Sequence, residues 1–480
     1  MNKLLTVSGV KLAEMIRNKE VSSQEVVEAH ISQIQKVNPV INAVVKDRFD
    51  QARQEAKAAD EMVKSKPADQ LPPFLGVPCT IKECFELIGM PNASGLPARK
   101  NIIAKQDATG VVRLKKAGAI PLGVTNTSEL CMWYESDNRV YGRTNNAYNP
   151  RRIVGGSSGG EGAIISAAGS PFGLGADVGG SIRMPAFFNG VFGHKPTGGL
   201  VPNSGQYPTV TTDAARYLVT GPLARKAEDL MPLLRILAGP DGKDPGCAKM
   251  EIKDHTLVKI SDLNVVSVED NGRQPVSKDL REAQQKVADY LASKGAKVKK
   301  ARPENMKYSF DIWSAMLTMA NKSEFSVMLG NGKKINGPLE LLKWAFRVSD
   351  HTLPSIIMAM LEVLPKWMPK RTQSMIERGQ ALRKELVELI TPNGIMLFPS
   401  HAYPAPLHYR PLLTPFNFVY TGLLNVMELP VTQVPVGLNA NGLPLGLQVA
   451  GIHGNDHITI AVGLELEKAF GGWQPPKIAL

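Results

Sequence analysis

The sequence predicts an α/β fold organised as one large domain. Helical and strand patterns alternate through the first quarter of the chain, an order typical of a sheet packed against helices. The 480 residues are 43% hydrophobic and 21% charged, values of a globular chain with a sizeable core. No internal repeat and no linker rich in Gly, Ser or Pro interrupts the sequence, so we expect a single domain over residues 1–480.

The first predicted elements are helices. Apolar residues at helical spacing predict two helices over 8–37, and Ser22 with Glu25 matches a capping box at the start of the second. An alanine- and charge-rich stretch predicts a third helix over 43–64.

Strands then alternate with helices. The pattern predicts a short buried strand over 74–82, a helix over 107–117 and a second strand over 119–125. Lys82 ends the first strand, and a lysine in a buried strand is unusual. Its amine could serve as a base, because desolvation lowers the pKa of a lysine by several units. The alternatives are a lysine that reaches solvent from the strand end, or an ion pair with Glu83.

Composition excludes several classes of protein. The net charge is +12, but the basic residues are scattered and match no nucleic-acid-binding motif, so we expect no nucleic-acid partner. Only four cysteines occur in 480 residues, which excludes a disulfide scaffold and fits a reducing compartment. None of them forms a CxxC pair. No apolar stretch is long enough for a transmembrane helix, and residues 1–20 lack the core of a signal peptide. We therefore expect an intracellular protein, cytoplasmic or peripherally bound to a membrane, without a metal or other cofactor.

The segment 155–199 combines many glycines with apolar residues, which indicates backbone packed closely on backbone or on a ligand. Within it, a helix of small residues is predicted over 162–169, and the start of a helix presents unpaired N–H groups. A second glycine-rich turn follows. Its backbone N–H groups could meet one oxygen, as an acyl-transfer transition state requires; they are those of Val178, Gly179, Gly180 and Ser181. On spacing alone, a phosphate-binding turn or a purely structural turn is an equal alternative.

Three motifs, in one order and spacing, resemble those of the amidase signature family. They read Gly-Val-Pro-Cys-Thr-Ile-Lys82-Glu, Gly155-Gly-Ser157-Ser158-Gly-Gly and Gly175-Ala-Asp177-Val-Gly-Gly-Ser181-Ile-Arg183-Met-Pro-Ala. Within that family, the stretches 130–136 and 410–417 are similar to the fatty-acid amide hydrolases. The resemblance spans nearly the whole chain and implies a mixed, twisted central β-sheet surrounded by helices.

The resemblance also implies roles for three side chains. Ser181 would be the nucleophile, Ser157 a bridging serine after a cis peptide bond, and Lys82 the base. Uncharged Lys82 would take the proton of Ser157, which takes the proton of Ser181 as it attacks the acyl carbon. The N–H groups from Val178 to Ser181 would hold the oxyanion.

Three further residues are expected to support the site. Asp177 and Arg183 are expected to form a structural ion pair that holds the turn. Ser158 is expected to make a hydrogen bond with its side chain directed away from that of Ser157. Ala176 departs from the family pattern, which has Ser or Thr there, so one supporting hydroxyl is missing.

Residues 333–371 carry a net charge of +4 and many apolar side chains. Leu342 and Phe346 belong to one apolar stripe, residues 354–364 are apolar almost all round, and Trp367 has basic neighbours. Such a pattern fits an interfacial membrane anchor, and by position the segment resembles the membrane cap of fatty-acid amide hydrolases. A core hairpin or a homodimer contact are the alternatives. The N-terminal hydrophobic segment of that branch is absent, which fits a peripheral protein or a truncated sequence.

We therefore expect a serine hydrolase that cleaves lipophilic amides, such as N-acylethanolamines or primary fatty amides, to fatty acid and amine through a Ser-Ser-Lys relay and an acyl-enzyme. The expected partners are this substrate, a membrane surface contacted through 333–371, and a second copy of the chain. Alternatives are an amidase or esterase for small or aryl substrates, a glutamine-hydrolysing component of a transamidation complex, and a lipid-binding protein without turnover.

Overall fold

The computed structural model describes residues 2–210, 213–320 and 323–480, without the side chains of Pro365 and Lys366. Its strands, in chain order, are β1 (Val44–Asp47), β2 (Pro78–Lys82), β3 (Ile120–Thr125), β4 (Asp137–Asn138), β5 (Gly142–Arg143), β6 (Phe172–Asp177), β7 (Phe192–Lys195), β8 (Val219–Ala224), β9 (Asn264–Ser267), β10 (Lys297–Lys300), β11 (Gly394–Pro399), β12 (Val431–Leu438) and β13 (Pro444–Ala450).

The helices surround these strands. In chain order they are α1 (Gly9–Arg17), α2 (Ser23–Ile41), α3 (Phe49–Ser65), α4 (Thr109–Lys116), α5 (Gly159–Ser166), α6 (Arg183–Phe188), α7 (Leu230–Leu237), α8 (Lys278–Ser293), α9 (Ser309–Ala320), α10 (Phe325–Leu329), α11 (Gly337–Ala345), α12 (Leu353–Leu361), α13 (Leu364–Trp367), α14 (Pro369–Ile390), α15 (Val419–Val426) and α16 (Asp456–Phe470).

One 11-stranded sheet forms the centre of the molecule, in the order β1-β3-β2-β6-β8-β7-β12-β13-β11-β9-β10. Strands β3, β2 and β6 are parallel neighbours, as are β11, β9 and β10. The strands between these two groups pair antiparallel. The predicted α/β fold with a mixed central sheet is therefore confirmed.

The centre of the sheet positions the glycine-rich elements. Every residue of β2, β3, β6 and β8 is buried, as expected for strands covered on both faces. Because β2 and β6 run parallel, their carboxyl ends open at the same edge of the sheet. Lys82 ends β2 and Asp177 ends β6, so the first and third sequence motifs meet at that edge.

Several predicted boundaries were wrong. The first predicted strand begins at Pro78 rather than at 74, and α2 ends at Ile41 rather than at 37. The third helix begins at Phe49 rather than at 43, because Val44–Asp47 pairs antiparallel with β3. The small-residue helix is α5, which begins at Gly159 and ends at Ser166, so it starts directly after the serine pair. The capping box of Ser22 and Glu25 is confirmed.

Helices α11 and α12 pack on each other at the surface. No residue of α11 is buried, and α12 buries only Ser355, Ile356 and Ala359, so this segment does not form a core hairpin. Several large apolar side chains of the segment are exposed: Leu339, Leu341, Leu342, Phe346, Val348, Ile357, Met360, Leu361, Leu364, Trp367 and Met368. Within the described ranges, each helix falls short of the length and apolar character that a bilayer crossing needs.

Candidate active site

Lys82 and Ser157 are in direct contact inside the protein. The Nζ atom of Lys82 donates a hydrogen bond of 2.6 Å to the Oγ atom of Ser157. Both side chains are almost completely removed from solvent. Lys82 therefore neither reaches solvent nor pairs with Glu83, whose carboxylate instead accepts hydrogen bonds from the backbone N–H groups of Ala93 and Ser94.

The serine pair lies in a tight turn before α5. The Gly156–Ser157 peptide bond is cis, as the resemblance implies. A Cβ atom on Gly156 would collide with the carbonyl oxygen of Trp133, so only glycine allows this close approach. The Ser158 hydroxyl donates to the carbonyl of Ala176 at 3.3 Å, which matches its expected hydrogen-bonding role.

Ser181 lies in the turn between β6 and α6. Its carbonyl accepts a hydrogen bond of 3.1 Å from the N–H group of Ser158, so the turn is tied to the serine pair. Ser157 and Ser181 both border a cavity of about 110 Å³ that also contacts Lys82. Within the described residues, the hydroxyl groups of the two serines make no direct hydrogen bond with each other.

The turn that carries Ser181 is held by Asp177. Its carboxylate accepts hydrogen bonds from the backbone N–H groups of Gly180 and Ile182 at 2.7 and 3.0 Å. Arg183 pairs with the same carboxylate at 3.0 Å, so the expected ion pair is present. Although burial acts to raise it, the Arg183 charge and these donors hold the pKa of Asp177 below its ordinary range.

Some backbone N–H groups of the turn already donate a hydrogen bond, and others do not. Those of Val178, Gly179 and Ser181 donate to no protein acceptor in residues 2–210, 213–320 and 323–480. The N–H group of Gly180 already donates to Asp177, so in this structure it is engaged elsewhere. Gly180 has a φ of +118°, a backbone conformation that favours glycine.

Ser181 also borders a second and larger cavity, of about 380 Å³. One wall comes from α9, another from α12 and the loop before α15. Seven aromatic side chains line it: Trp133, Tyr134, Phe310, Trp313, Phe325, Phe416 and Phe418. Trp313 Nε1 also donates to the carbonyl of Val178 at 3.1 Å, which joins the aromatic wall to the turn. The cavity is therefore a mostly apolar volume with Ser181 in its wall.

Sequence reasoning missed a buried acid beside Lys82. Both oxygens of Glu161 accept hydrogen bonds from threonine hydroxyls, from Thr80 at 2.6 Å and Thr125 at 2.7 Å. Burial raises the pKa of Glu161 to about 8, because removal from water disfavours the charged carboxylate. The available signal was an acidic residue within a helix of small and apolar residues.

Sequence reasoning also missed Cys131, which borders both cavities. Its partners are the Cys84 thiol and the Thr127 hydroxyl, whose Oγ1 lies 3.4 Å from Sγ of Cys131. No spacing pattern in the sequence indicates this position, because Cys84 and Cys131 lie far apart along the chain.

The candidate site thus combines a buried lysine and serine in contact, a second serine on a turn with unengaged N–H groups, and a cavity bordered by that serine. The sequence profile of the Amidase family matches residues 25–460. The chain belongs to this family and is a hydrolase that acts on amide carbon–nitrogen bonds.

Individual relatives narrow the comparison. The chain is 48% identical to fatty-acid amide hydrolase 2 of Homo sapiens, over 98% of this chain and 91% of the relative. It is 31% identical to indoleacetamide hydrolase of Bradyrhizobium diazoefficiens, over 84% of this chain and 80% of the relative. A solved fatty acid amide hydrolase structure aligns with 98% of this chain and 86% of its own, with a TM-score of 0.79 and 23% identity, which shows the shared fold. The resemblance to fatty-acid amide hydrolases is confirmed.

Proposed function

We propose that this amidase hydrolyses lipophilic amides, N-acylethanolamines or primary fatty amides, to a fatty acid and an amine. The observation that carries the proposal is Ser181 in the wall of an aromatic-lined cavity of about 380 Å³. An apolar cavity of this size favours an alkyl chain, because burial of each methylene contributes about 0.8 kcal/mol. The identity to fatty-acid amide hydrolase 2 supports the same substrate class.

In the proposed mechanism, Ser181 attacks the acyl carbon. Lys82 in its uncharged form takes the proton of Ser157, to which it is hydrogen bonded at 2.6 Å, and Ser157 takes the proton of Ser181. The two serine hydroxyls must meet for this transfer. Catalytic hydrogen bonds often tighten only when substrate binds, and both serines already border the same small cavity.

The oxyanion is assigned to the N–H groups of Val178, Gly179 and Ser181. Preorganised donors of this kind commonly provide a factor of about 10²–10³ in rate each. Carbonyl groups of the same turn are held by side chains: Trp313 donates to Val178, and Thr421 donates to Gly179 at 2.8 Å. These contacts limit the reorganisation that the turn needs when negative charge develops.

The proton then returns through Ser157 to the nitrogen of the leaving amine, which breaks the C–N bond and leaves the acyl group on Ser181. The small cavity of about 110 Å³ beside Ser157 is assigned to the head group. A water molecule then repeats the relay, attacks the acyl carbon and releases the fatty acid.

The substrate is proposed to enter from a membrane surface. Ile357 and Leu361 of α12 line the large cavity and remain accessible to solvent. Phe346 and Trp367 are 73% and 74% exposed nearby, and the net charge of +4 over 333–371 complements anionic lipid head groups. This face is therefore assigned to peripheral contact with a membrane, with a second copy of the chain as the competing occupant.

The substrate class is tested by measuring the hydrolysis of oleamide and butyramide by the wild type and Ser181→Ala. We expect kcat/KM for oleamide to exceed that for butyramide at least tenfold, and Ser181→Ala to abolish both reactions. Equal or better turnover of butyramide would instead favour the small-amide alternative. A fluorophosphonate probe that failed to label the wild type, or that labelled Ser181→Ala equally, would contradict Ser181 as the nucleophile.

The membrane contact is tested by flotation with vesicles that contain 30% phosphatidylserine. Phe346→Ser combined with Trp367→Ser should reduce the bound fraction severalfold. Leu257→Ser is the matched control, because Leu257 is 77% exposed but lies outside the segment. Unchanged flotation together with a dimer that the double variant disrupts would assign the face to a second copy instead.

A further inference from the structure

The large cavity contains a second group capable of nucleophilic chemistry, the thiol of Cys131. Cys131 borders both cavities and is partly exposed. Cys84 contacts it and is fully buried. The two thiols thus form a pair in which only Cys131 faces the space assigned to substrate.

The loop that carries Cys131 holds the thiol in place. Leu130 and Cys131 both adopt positive φ angles, of 51° and 59°, a conformation that costs side chains other than glycine about 1–3 kcal/mol. Surrounding hydrogen bonds retain it: the N–H group of Leu130 donates to Ser94 at 2.8 Å and that of Cys131 to Ser128 at 2.9 Å. The sulfur is therefore preorganised at the junction of the two cavities.

The neighbours of Cys131 favour its thiolate. A hydrogen bond from the Cys84 thiol stabilises the charged sulfur, and Oγ1 of Thr127 lies 3.4 Å from Sγ of Cys131. Together they lower the pKa of Cys131 below its ordinary value, against the opposing effect of burial. The thiolate is the nucleophilic form of cysteine.

We propose that the Cys84–Cys131 thiol pair is a modification site, at which Cys131 adds to soft electrophiles that carry an alkyl chain, such as long-chain α,β-unsaturated aldehydes. The sulfur forms a bond to the β-carbon, the electrons of the C=C bond move toward the carbonyl, and the α-carbon takes a proton from water. Nothing leaves, and no oxidant is needed. The aldehyde is selected because its chain enters the same apolar cavity that the proposed function assigns to the acyl chain.

Such an adduct blocks the site. A chain fixed to Cys131 occupies the cavity of about 380 Å³ whose wall contains Ser181. Amide hydrolysis should therefore stop when Cys131 is modified, and an amidase for lipid amides would respond to aldehydes that form from oxidised lipids.

The experiment treats the protein with trans-2-dodecenal or with trans-2-butenal, which carry the same reactive group on a long and a short chain. Adducts are located by peptide mass mapping after reduction with borohydride, and hydrolysis is followed in parallel. We expect dodecenal to modify Cys131 at least tenfold faster than butenal does, and the loss of hydrolysis to follow the adduct in time.

Two variants make the result decisive. Cys247→Ser is the matched control, since Cys247 is also partly exposed but burial raises its pKa to about 11; it should be inactivated as fast as the wild type. Cys131→Ser should be inactivated at least tenfold more slowly relative to its own untreated activity. Adducts mapped mainly to Cys247, or a Cys131→Ser variant inactivated at the wild-type rate, would overturn the proposal. The mapping is repeated in Ser181→Ala, where the Cys131 adduct should still form, so this readout does not depend on the proposed nucleophile.

Discussion

The Nδ1 atom of His351 lies 2.8 Å from Oε1 of Glu129, which joins the surface segment of α11 and α12 to the loop at the active site. The other oxygen of Glu129 accepts two hydrogen bonds from Thr352, each of 2.8 Å. Glu129 is buried and directly precedes Leu130 and Cys131. One carboxylate therefore positions both a wall of the large cavity and the loop beside Ser157.

Glu129→Gln should weaken the connection between the α12 wall of the large cavity and the loop beside Ser157. The substitution replaces a carboxyl oxygen that accepts buried hydrogen bonds with an amide NH2 group. We therefore expect the free energy of unfolding to fall by about 1–3 kcal/mol and KM for oleamide to rise severalfold, with less effect on butyramide. Thermal denaturation and steady-state kinetics check both effects. Glu304→Gln is the control, because the Glu304–Lys307 pair is exposed, and such pairs contribute little. Equal changes for both substrates would contradict a role of Glu129 in the acyl cavity.

The neighbouring serines provide a matched comparison. Ser157→Ala removes the hydroxyl in contact with Lys82 and should lower kcat by about 10²–10⁴. Ser158→Ala removes only the 3.3 Å hydrogen bond to Ala176 and should change kcat by less than about tenfold, with a stability cost of about 1 kcal/mol. Rates of oleamide hydrolysis by the purified variants test this. Similar losses in the two variants would argue against a relay through Ser157.

Asp177→Asn should destabilise the protein strongly, by about 3–5 kcal/mol at neutral pH, because it leaves the charge of Arg183 buried without its partner. The folded-state pKa of Asp177 is lowered. The stabilisation is therefore present above the ordinary aspartate pKa of about 4 and is lost as the pH falls through the lower folded value.

The pH dependence gives a second readout for Asp177→Asn. Chemical denaturation at pH values from 7 to 3 measures the free energy of unfolding of both proteins. The difference between wild type and variant should become smaller below about pH 4. A difference that grew as the pH fell would contradict an ionised Asp177 in the folded state.

A larger side chain on α12 should shorten the large cavity that the proposed function assigns to the acyl chain. Ile357→Trp should fill part of the cavity that this residue lines and lower kcat/KM for oleamide at least tenfold, while butyramide is little affected. Leu342→Trp is the control on α11, since Leu342 is exposed and does not line the cavity. Substrate series of increasing chain length measure the effect, and a uniform loss for all chain lengths would place the substrate elsewhere.

Some parts of the fold and site could be predicted because their signals are local. Lys82 stood out as a charged residue in an apolar strand, and Ser22 with Glu25 marked the start of α2 by a pattern of four residues. The short strand Val44–Asp47 could not be predicted, because four residues form a strand only when a partner such as β3 supplies the hydrogen bonds.

The residues that line the site also could not be predicted from the sequence. Trp313, Phe418 and Cys131 meet around Ser181 from distant parts of the chain, and each has an ordinary sequence context. For Gly180, the structure corrected an expectation from the sequence. In the sequence nothing distinguishes its N–H group from those of its neighbours, but the folded turn commits it to Asp177.

The sequence by itself determined the class of chemistry through a resemblance: the three motifs that carry Lys82, Ser157 and Ser181 are similar to those of the amidase signature family, and such motifs are short stretches of chain that can be recognised without the fold. Only the tertiary structure decided the contact of Lys82 with Ser157, the shape of the cavity and the neighbours of Cys131 and Glu161. Those properties arise from side chains far apart in sequence, and burial acts on charge and on apolar volume only once the sheet and helices have enclosed them.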